Sequence, residues 1–218
     1  YSPTSEQGKK TSSSPMGSID YPLSPLSIAL AAEASFVARA IDVDADLPAT
    51  LEHAAAHHGA AFVEIYQDCN VFNHHAFEYA TNKDDREDNL LRLEHGKPMI
   101  FGKNRDRGLR MNGSKIEKVM LAPGSGIAED DLLFHDGTDE SLAFALSRLR
   151  YPHFPEAVGV FYRVKDQSYD ELLDAQIAAA TKQRGKGTLE ALFAMGETYE
   201  IDPASAAKAA TPDALQAY

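Results

Sequence analysis

The sequence predicts an α/β fold in which a parallel sheet carries helices on its faces. Three observations lead there. The runs "SFVARAID", "AAFVEIYQ" and "AVGVFYRV" are rich in β-branched and aromatic residues and are bounded by Gly and polar positions, as strands are. Ala- and Leu-rich stretches with helix-start signals lie between them. The first two runs flank one such helix, and strand, helix, strand in that order makes a parallel unit closed by a crossover.

Along the chain, Tyr1 to Pro22 is rich in Ser, Gly and Pro and lacks an apolar period, so it reads as a loop. In "SPLSIALAAEA", Ser24 takes a helix N-cap and Pro25 the first helical position, where its missing N–H costs nothing. The Ala/Leu run carries that helix on. A second helix is predicted over "DADLPATLEHAAAHHG", capped near Asp46 and stopped by Gly59. Beyond Asn73, "HHAFEYATNKDDREDNLLRLEHGKP" is charged, with patchy helical period between Asp85 and Leu93, and reads as an excursion. "PMIFG" and "KIEKVMLA" are expected as two strands of a hairpin, separated by the basic, turn-rich "KNRDRGLRMNGS". Thr138 is placed to cap "DESLAFALSRLR", and Ser168 with Glu171 forms a capping-box pattern ahead of "YDELLDAQIAAATKQR", which Gly185 ends. The Ala-rich tail from Pro203 reads as a loose end, and no internal repeat is visible. The domain expectation is a break near residue 80: 1–80 in the parallel α/β part, and 81–218 as a C-terminal α+β region.

Composition bounds the function. With 218 residues and 44% hydrophobic content the chain can bury a moderate core, in one domain or one and a half. Its 21 Lys and Arg against 33 Asp and Glu leave a net charge of −12, which argues against a nucleic-acid partner and is compatible with a basic partner surface. A single cysteine excludes an internal disulfide framework. Nothing resembles a signal peptide or an apolar stretch long enough to span a bilayer, so no membrane partner and a cytoplasmic location are expected. The chain opens on Tyr1 inside a loop-like stretch, and the expectation is a part of a longer subunit.

Several patterns could carry chemistry. His53 and His57 in "HAAAHH" stand at i, i+4 and could share a metal on one helix face, or could simply mark a solvated helix end. "PGSG", Pro123 to Gly126, could cradle a phosphate or be a plain turn; it lacks the Lys of a phosphate loop. The basic stretch Lys103 to Arg110 could meet an anionic ligand or decorate a loop. The acidic "DDRED", Asp84 to Asp88, is a solvated face or a dock for a basic partner. Cys69, in "FVEIYQDCNVFN", follows directly on a strand, at the end where open α/β sheets place their sites. A lone cysteine is otherwise an inert buried thiol.

"SPTSEQGKKTSSSPMGSIDYPLSPLSIALAAEASFVARAID" followed by "FVEIYQDCNVFN" resembles the beta subunit of the thiamin-diphosphate-dependent 2-oxoacid:ferredoxin oxidoreductases, of the 2-oxoglutarate type and from the C-terminal part of that subunit. "FHDGTDESLAFALSRL" and "YDELLDAQIAAA" extend the likeness. The resemblance implies a thiamin-diphosphate-binding fold, a parallel sheet with flanking helices, incomplete at the N-terminus, followed by the C-terminal α+β region. It implies oxidative decarboxylation of a 2-oxo acid on thiamin diphosphate and Mg2+. Electrons then pass through a 4Fe-4S cluster to ferredoxin, and the acyl group goes to coenzyme A. Cys69 falls on the family's fourth cluster ligand, the other three cysteines and the GDG segment that holds Mg2+ being expected before Tyr1. Ser2 and Thr4, at the end of the family's diphosphate loop, are implied near the thiamin diphosphate as hydroxyl donors. The implied partners are the alpha subunit in an alpha2beta2 heterotetramer, the N-terminal part of the beta subunit, ferredoxin, the 2-oxo acid and coenzyme A; the chain by itself is expected to be inactive. Asp68 stands where relatives often carry Asn. Two other readings stay open: a non-catalytic assembly or partner-binding module of thiamin-enzyme fold, in which Cys69 is a core thiol, and an iron-free thiamin-dependent enzyme.

Overall fold

The computed structural model describes residues 2–69, 73–197, 199 and 202. The chain divides into two compact units, Tyr1–Tyr169 and Asp170–Tyr218.

In the first unit, the described residues before Ser24 carry turns and an isolated bridge between Thr11 and Ser14, as a loop should. Helix α1, Pro25–Ala31, starts with Ser24 at its N-cap position and proline in its first turn. The Ser24 hydroxyl makes no cap, however. It accepts from Ser27 Oγ at 2.8 Å and donates to the Ser147 carbonyl at 3.4 Å, while the hydroxyls of Ser27 and Ser147 meet at 2.8 Å. These buried serines tie α1 to helix α5, Glu140–Ser147, so tertiary packing has claimed the hydroxyl that capping would have used.

Strands β1, Phe36–Ile41, and β2, Ala61–Tyr66, pair in parallel from Phe36↔Ala61 to Ile41↔Tyr66 without irregularity, joined by helix α2, Leu47–Ala55. The strand, helix, strand reading therefore holds. α2 stops well before Gly59, against expectation. Gly59 has φ +128°, and a Cβ there would collide with Ser35 Oγ, so it shapes the entry to β2 instead of ending the helix.

The charged excursion holds two short helices, α3 (Glu78–Thr81) and α4 (Arg86–Asn89), and a strand the sequence did not announce, β3 (Leu90–Leu93). Four residues are too few to display a period. Strand β7, Glu156–Arg163, runs parallel to β3 and antiparallel to β1, giving a mixed sheet of order β2-β1-β7-β3. Strands from both sides of residue 80 thus share one sheet. A bulge between Val37 and Ala38 accompanies Gly159 at φ +106°, where a Cβ would press on the Leu93 carbonyl at 3.0 Å.

The expected hairpin is a three-stranded antiparallel meander: β4 (Ile100–Phe101), β5 (Arg107–Asn112) and β6 (Lys115–Met120). The basic stretch read as a connection contains β5, whose charges hid its buried Gly108 and Leu109. Helix α5 is capped one residue later than expected. Asp139 Oδ1 accepts from the Leu142 N–H at 3.0 Å, and Thr138 is occupied, donating to Asp136 Oδ1 at 2.6 Å.

The main core joins Leu26 and Leu30 of α1, Val37 of β1, Leu91 of β3, Leu109 of β5, Leu146 of α5 and Phe161 of β7, so both sheets share one apolar interior. Each such side chain contributes about 1.5–3 kcal/mol by leaving water. A smaller cluster, Ile41, Ala80, Leu90 and Val158, with Tyr66 and Tyr79 against it, closes the end of the sheet where β1 and β2 finish.

The second unit holds α6 and α7 (Leu189–Phe193), α6 spanning Tyr169–Arg184 as the sequence indicated. Gly185, at φ +81°, ends α6 with its N–H on the Thr181 carbonyl at 2.9 Å. No residue of either helix is buried. The expected loose tail from Pro203 lies outside the described residues. Among the described residues no helix is long and apolar enough to cross a membrane.

Candidate functional site

The carboxyl ends of β1 and β2 are where a parallel pair leaves a crevice for ligands. Cys69 stands just beyond the end of β2, exposed. The Asn73 N–H donates to the Cys69 carbonyl at 2.9 Å, which brings the two sides of the loop together. Asp68 Oδ2 lies 2.9 Å from His74 Nδ1, and the His74 and His75 rings meet with their planes tilted by 44°, 3.8 Å between centroids. Asp68 Oδ1 and Asn73 Oδ1 are buried with no hydrogen-bond partner among the described residues. Both are hydrogen-bond acceptors.

Behind the loop lies a buried polar network. Arg39, in the middle of β1 and 3% exposed, pairs with Glu156 and donates to Glu64 Oε2 at 2.8 Å. Tyr66 and Tyr79 each donate to Glu156, at 3.1 Å to Oε1 and Oε2 respectively. Tyr66 stacks on Phe77 at 4.1 Å and Tyr79 on Tyr151 at 4.1 Å, while the Arg39 guanidinium lies 4.7 Å from the Tyr66 ring centre. Tyr66 precedes Cys69 and Tyr79 follows it, so one carboxylate anchors both ends of the Cys69 loop.

Burial works against the charge of Arg39, but Glu156, Tyr66 and Glu64 outweigh it and hold the guanidinium above its usual range. Burial first, then the Glu156 charge, push both phenols well above the usual tyrosine value. A phenol whose folded value is raised holds its proton tighter when folded, so its contribution is complete below about pH 10 and fades as pH rises further. Urea midpoints measured from pH 8 upward are therefore expected to fall beyond about pH 10, and the Tyr66→Phe/Tyr79→Phe variant should show a shallower fall than the parent. Equal slopes would show that these phenols do not control alkaline stability.

The other sequence candidates separate. Ser2 Oγ lies 3.1 Å from Thr4 Oγ1 and 3.2 Å from Ser5 Oγ, an exposed hydroxyl group on the loop before α1. His53 closes α2, but His57 lies past the helix end, its Nε2 2.9 Å from Ser35 Oγ and its ring against Phe36, so the pair does not share a helix face. "PGSG" forms a turn with Gly124 at φ +87° and Gly126 at φ +74°. Within the basic stretch, Arg107 pairs with Asp88 and Arg110 Nε with Glu117 Oε1 at 2.5 Å. Asp88 belongs to the acidic "DDRED", and its neighbour Glu87 meets Arg92 at 3.3 Å, so the two opposite charge runs partly neutralise within the unit.

Sequence reasoning missed Arg39, Glu64, Tyr79 and Glu156. The signal was present in "FVARAI" and "FVEIY", where a lone charge sits inside each apolar run; Arg39 and Glu64 are direct cross-strand neighbours.

A 4Fe-4S cluster takes four thiolates. The chain offers one, Cys69, and among the described residues no group of three or more His, Cys, Asp or Glu could hold a metal ion. One thiolate does not hold such a cluster by itself. Ser2 and Thr4 supply hydroxyls but no carboxylate pair for Mg2+, so these residues alone do not make a thiamin diphosphate site.

No family model matches the chain. Over 208 residues it is 40% identical to 2-oxoglutarate oxidoreductase subunit KorB of Mycobacterium tuberculosis, a match spanning 93% of this chain and 55% of that protein. The chain therefore spans about half the length of the curated relative it matches. A solved 2-oxoglutarate:ferredoxin oxidoreductase from Magnetococcus marinus, with 2-oxoglutarate, coenzyme A and succinyl-CoA bound, aligns with 91% of this chain and 53% of its own, at TM-score 0.54 and 22% identity. That likeness establishes the shared fold: a mixed sheet with parallel strands flanked by helices.

Proposed function

We propose, for a chain that belongs to the same family as the 2-oxoglutarate oxidoreductase subunit it matches, that it is part of the beta subunit of a 2-oxoglutarate:ferredoxin oxidoreductase. The 40% identity across nearly the whole chain carries this reading. The reaction is the oxidative decarboxylation of a 2-oxo acid, 2-oxoglutarate first, to its acyl-CoA with ferredoxin as electron acceptor. The assembly is a cytoplasmic alpha2beta2 heterotetramer in which the remaining beta polypeptide supplies most of the thiamin diphosphate and Mg2+ ligands.

Within it the Cys69 thiolate holds one corner of a 4Fe-4S cluster, which when bound supplies one-electron transfer. This chain's own residues set where that thiolate stands. Asn73 closes the loop through its N–H, His74 takes up the Asp68 carboxylate beside the thiol, and Tyr66 and Tyr79 fix the loop ends on Glu156. Only one Asp68 oxygen, Oδ2, is engaged by His74. Ser2 and Thr4 are assigned to the diphosphate as hydroxyl donors.

Two measurements test the reading. The purified assembly should be brown and contain iron and thiamin diphosphate, whereas calorimetry on the 218-residue chain alone should detect no tight Mg2+-dependent thiamin diphosphate binding. Thiamin diphosphate without iron in the assembly would favour the iron-free enzyme. Absence of both would leave an assembly module, and tight cofactor binding by the chain alone would overturn the placement of the cofactor ligands.

A further inference from the structure

Tyr66 and Tyr79 donate to opposite oxygens of one carboxylate, Oε1 and Oε2 of Glu156, both at 3.1 Å. That is within the reach over which a proton passes from donor to acceptor. Beyond Tyr79, the Tyr151 ring stacks on it at an interplanar angle of 3° and 4.1 Å between centroids, and Tyr151 is 40% exposed. A line of oxidisable rings thus runs from Tyr66, three residues before Cys69, through the carboxylate and Tyr79 to Tyr151 at the surface. The charges around it suit the loss of an electron. Arg39 faces two carboxylates, Glu156 and Glu64, so the network keeps an excess of negative charge. When Glu156 takes up a proton, Glu64 still pairs with Arg39 at 2.8 Å, and the guanidinium is not left uncompensated. The two phenols differ. Oε1 is shared by Tyr66 and Arg39, and the guanidinium 4.7 Å from the Tyr66 ring centre opposes removal of an electron there. Among the described residues Oε2 is met by Tyr79 alone, so the Tyr79 proton has the better base and an oxidising equivalent runs from Tyr66 toward Tyr79.

We propose that Tyr66, Tyr79 and Tyr151, with Glu156 as proton acceptor, form an escape route that carries oxidising equivalents from the Cys69 loop to the surface before they over-oxidise the thiol. The oxidant is a one-electron oxidant of the oxygen-radical class, a hydroxyl radical being the simplest. One electron leaves Tyr79 by way of Tyr66 and reduces that radical to hydroxide, while the Tyr79 O–H bond breaks and its proton crosses to Glu156 Oε2. Tyr151 then gives an electron to the Tyr79 radical, Glu156 returns the proton, and the Tyr151 phenol releases its own proton to water. A soluble thiol or an ene-diol such as ascorbate restores Tyr151 by donating one electron and one proton. A phenol yields an electron only to a far stronger oxidant than the couples that iron–sulfur clusters span, so the route stays silent during ferredoxin reduction. That the oxidant arises beside Cys69, where peroxide meets iron, rests on the proposed function; the relay itself rests on the geometry alone.

Peroxide challenge of the purified assembly in the presence of a nitroso spin trap, with the modified residues mapped by peptide mass spectrometry, tests it. In the parent the trap should mark Tyr151, while sulfinic and sulfonic acids at Cys69 stay low. Tyr79→Phe should abolish the Tyr151 mark, but it also removes a hydrogen bond that anchors the loop. Tyr151→Phe separates relay from anchor, because it leaves both hydrogen bonds to Glu156 in place. In that variant over-oxidation of Cys69 should rise several-fold, with ferredoxin reduction under anoxia at the parent level. A Tyr151 mark undiminished in Tyr79→Phe would mean direct attack from solvent, and Cys69 oxidation unchanged in Tyr151→Phe would leave the phenols as anchors; either result overturns the relay and leaves the function standing. If the assembly holds no iron, a thiol-reactive ruthenium photo-oxidant attached at Cys69 replaces peroxide, and flash oxidation from that point should mark Tyr151 in the parent and not in Tyr79→Phe. That pattern keeps the relay and removes the function, and its absence removes both.

Discussion

Cys69→Ala, introduced into the complete assembly, is expected to deplete or distort the iron–sulfur signal and to reduce ferredoxin reduction to background, while 2-oxoglutarate decarboxylation remains measurable. The chain has one cysteine, so no neighbouring thiolate of its own can replace it. A three-thiolate site loses an iron or recruits a weaker oxygen or nitrogen ligand, and His74 and His75 stand on the same loop as potential substitutes. Cys69→Ala in a His74→Ala/His75→Ala background should therefore be the more severe variant. If Cys69 were a packing residue, the same change would cost roughly 1 kcal/mol or less, because the side chain is exposed, and iron content would not move. Iron analysis with electron paramagnetic resonance of the reduced protein separates the outcomes.

Arg39→Ala is expected to have the largest effect on folding. It removes the cation from a site where Glu156 and Glu64 are mostly buried, at 6% and 14% side-chain exposure. Breaking a buried pair by deleting one partner typically costs about 3–5 kcal/mol, because the remaining charge has no compensation. A domain's whole stability is about 5–15 kcal/mol, so the variant should unfold at a much lower urea concentration or fail to accumulate at 37 °C. The triple change Arg39→Met/Glu64→Leu/Glu156→Leu should recover much of that loss, since it removes the uncompensated charges together. It should nevertheless leave Tyr66 and Tyr79 without their acceptor, so the Cys69 thiol should react faster with an alkylating reagent than in the parent. A triple variant no more stable than Arg39→Ala would show that packing, not charge, dominates at this position.

The legible parts of the fold were those whose signals are local. β1, α2 and β2 follow from "SFVARAID", the Asp46 to Ala55 stretch and "AAFVEIYQ", where apolar pattern and boundary residues agree. α6 follows from sixteen residues of good helix formers before Gly185. β3 and β5 were not legible, because "LLRL" is short and "RGLRMN" carries its arginines on the positions that reach Asp88 and Glu117. The pairing partner of β3, strand β7, is moreover remote in sequence. The antiparallel approach of β7 to β1 is likewise non-local, since it joins residues more than a hundred positions apart. At the site, Cys69 stood out by its place after a strand, whereas Glu156 became visible only once β7 had brought it to the end of β1, between two tyrosines and an arginine. The serine at position 24 shows the same limit from the other side: the sequence marks the N-cap position correctly, but Ser147, remote in the chain, decides what its hydroxyl does.

The most direct test of the account is the substrate-dependent reduction of ferredoxin by the purified assembly containing this chain. With 2-oxoglutarate and coenzyme A both present, the account predicts ferredoxin reduction together with acyl-CoA formation, lost when either compound is omitted. An assembly that holds the chain with its full complement of iron and thiamin diphosphate, yet reduces no ferredoxin with 2-oxoglutarate or any other 2-oxo acid, would contradict it.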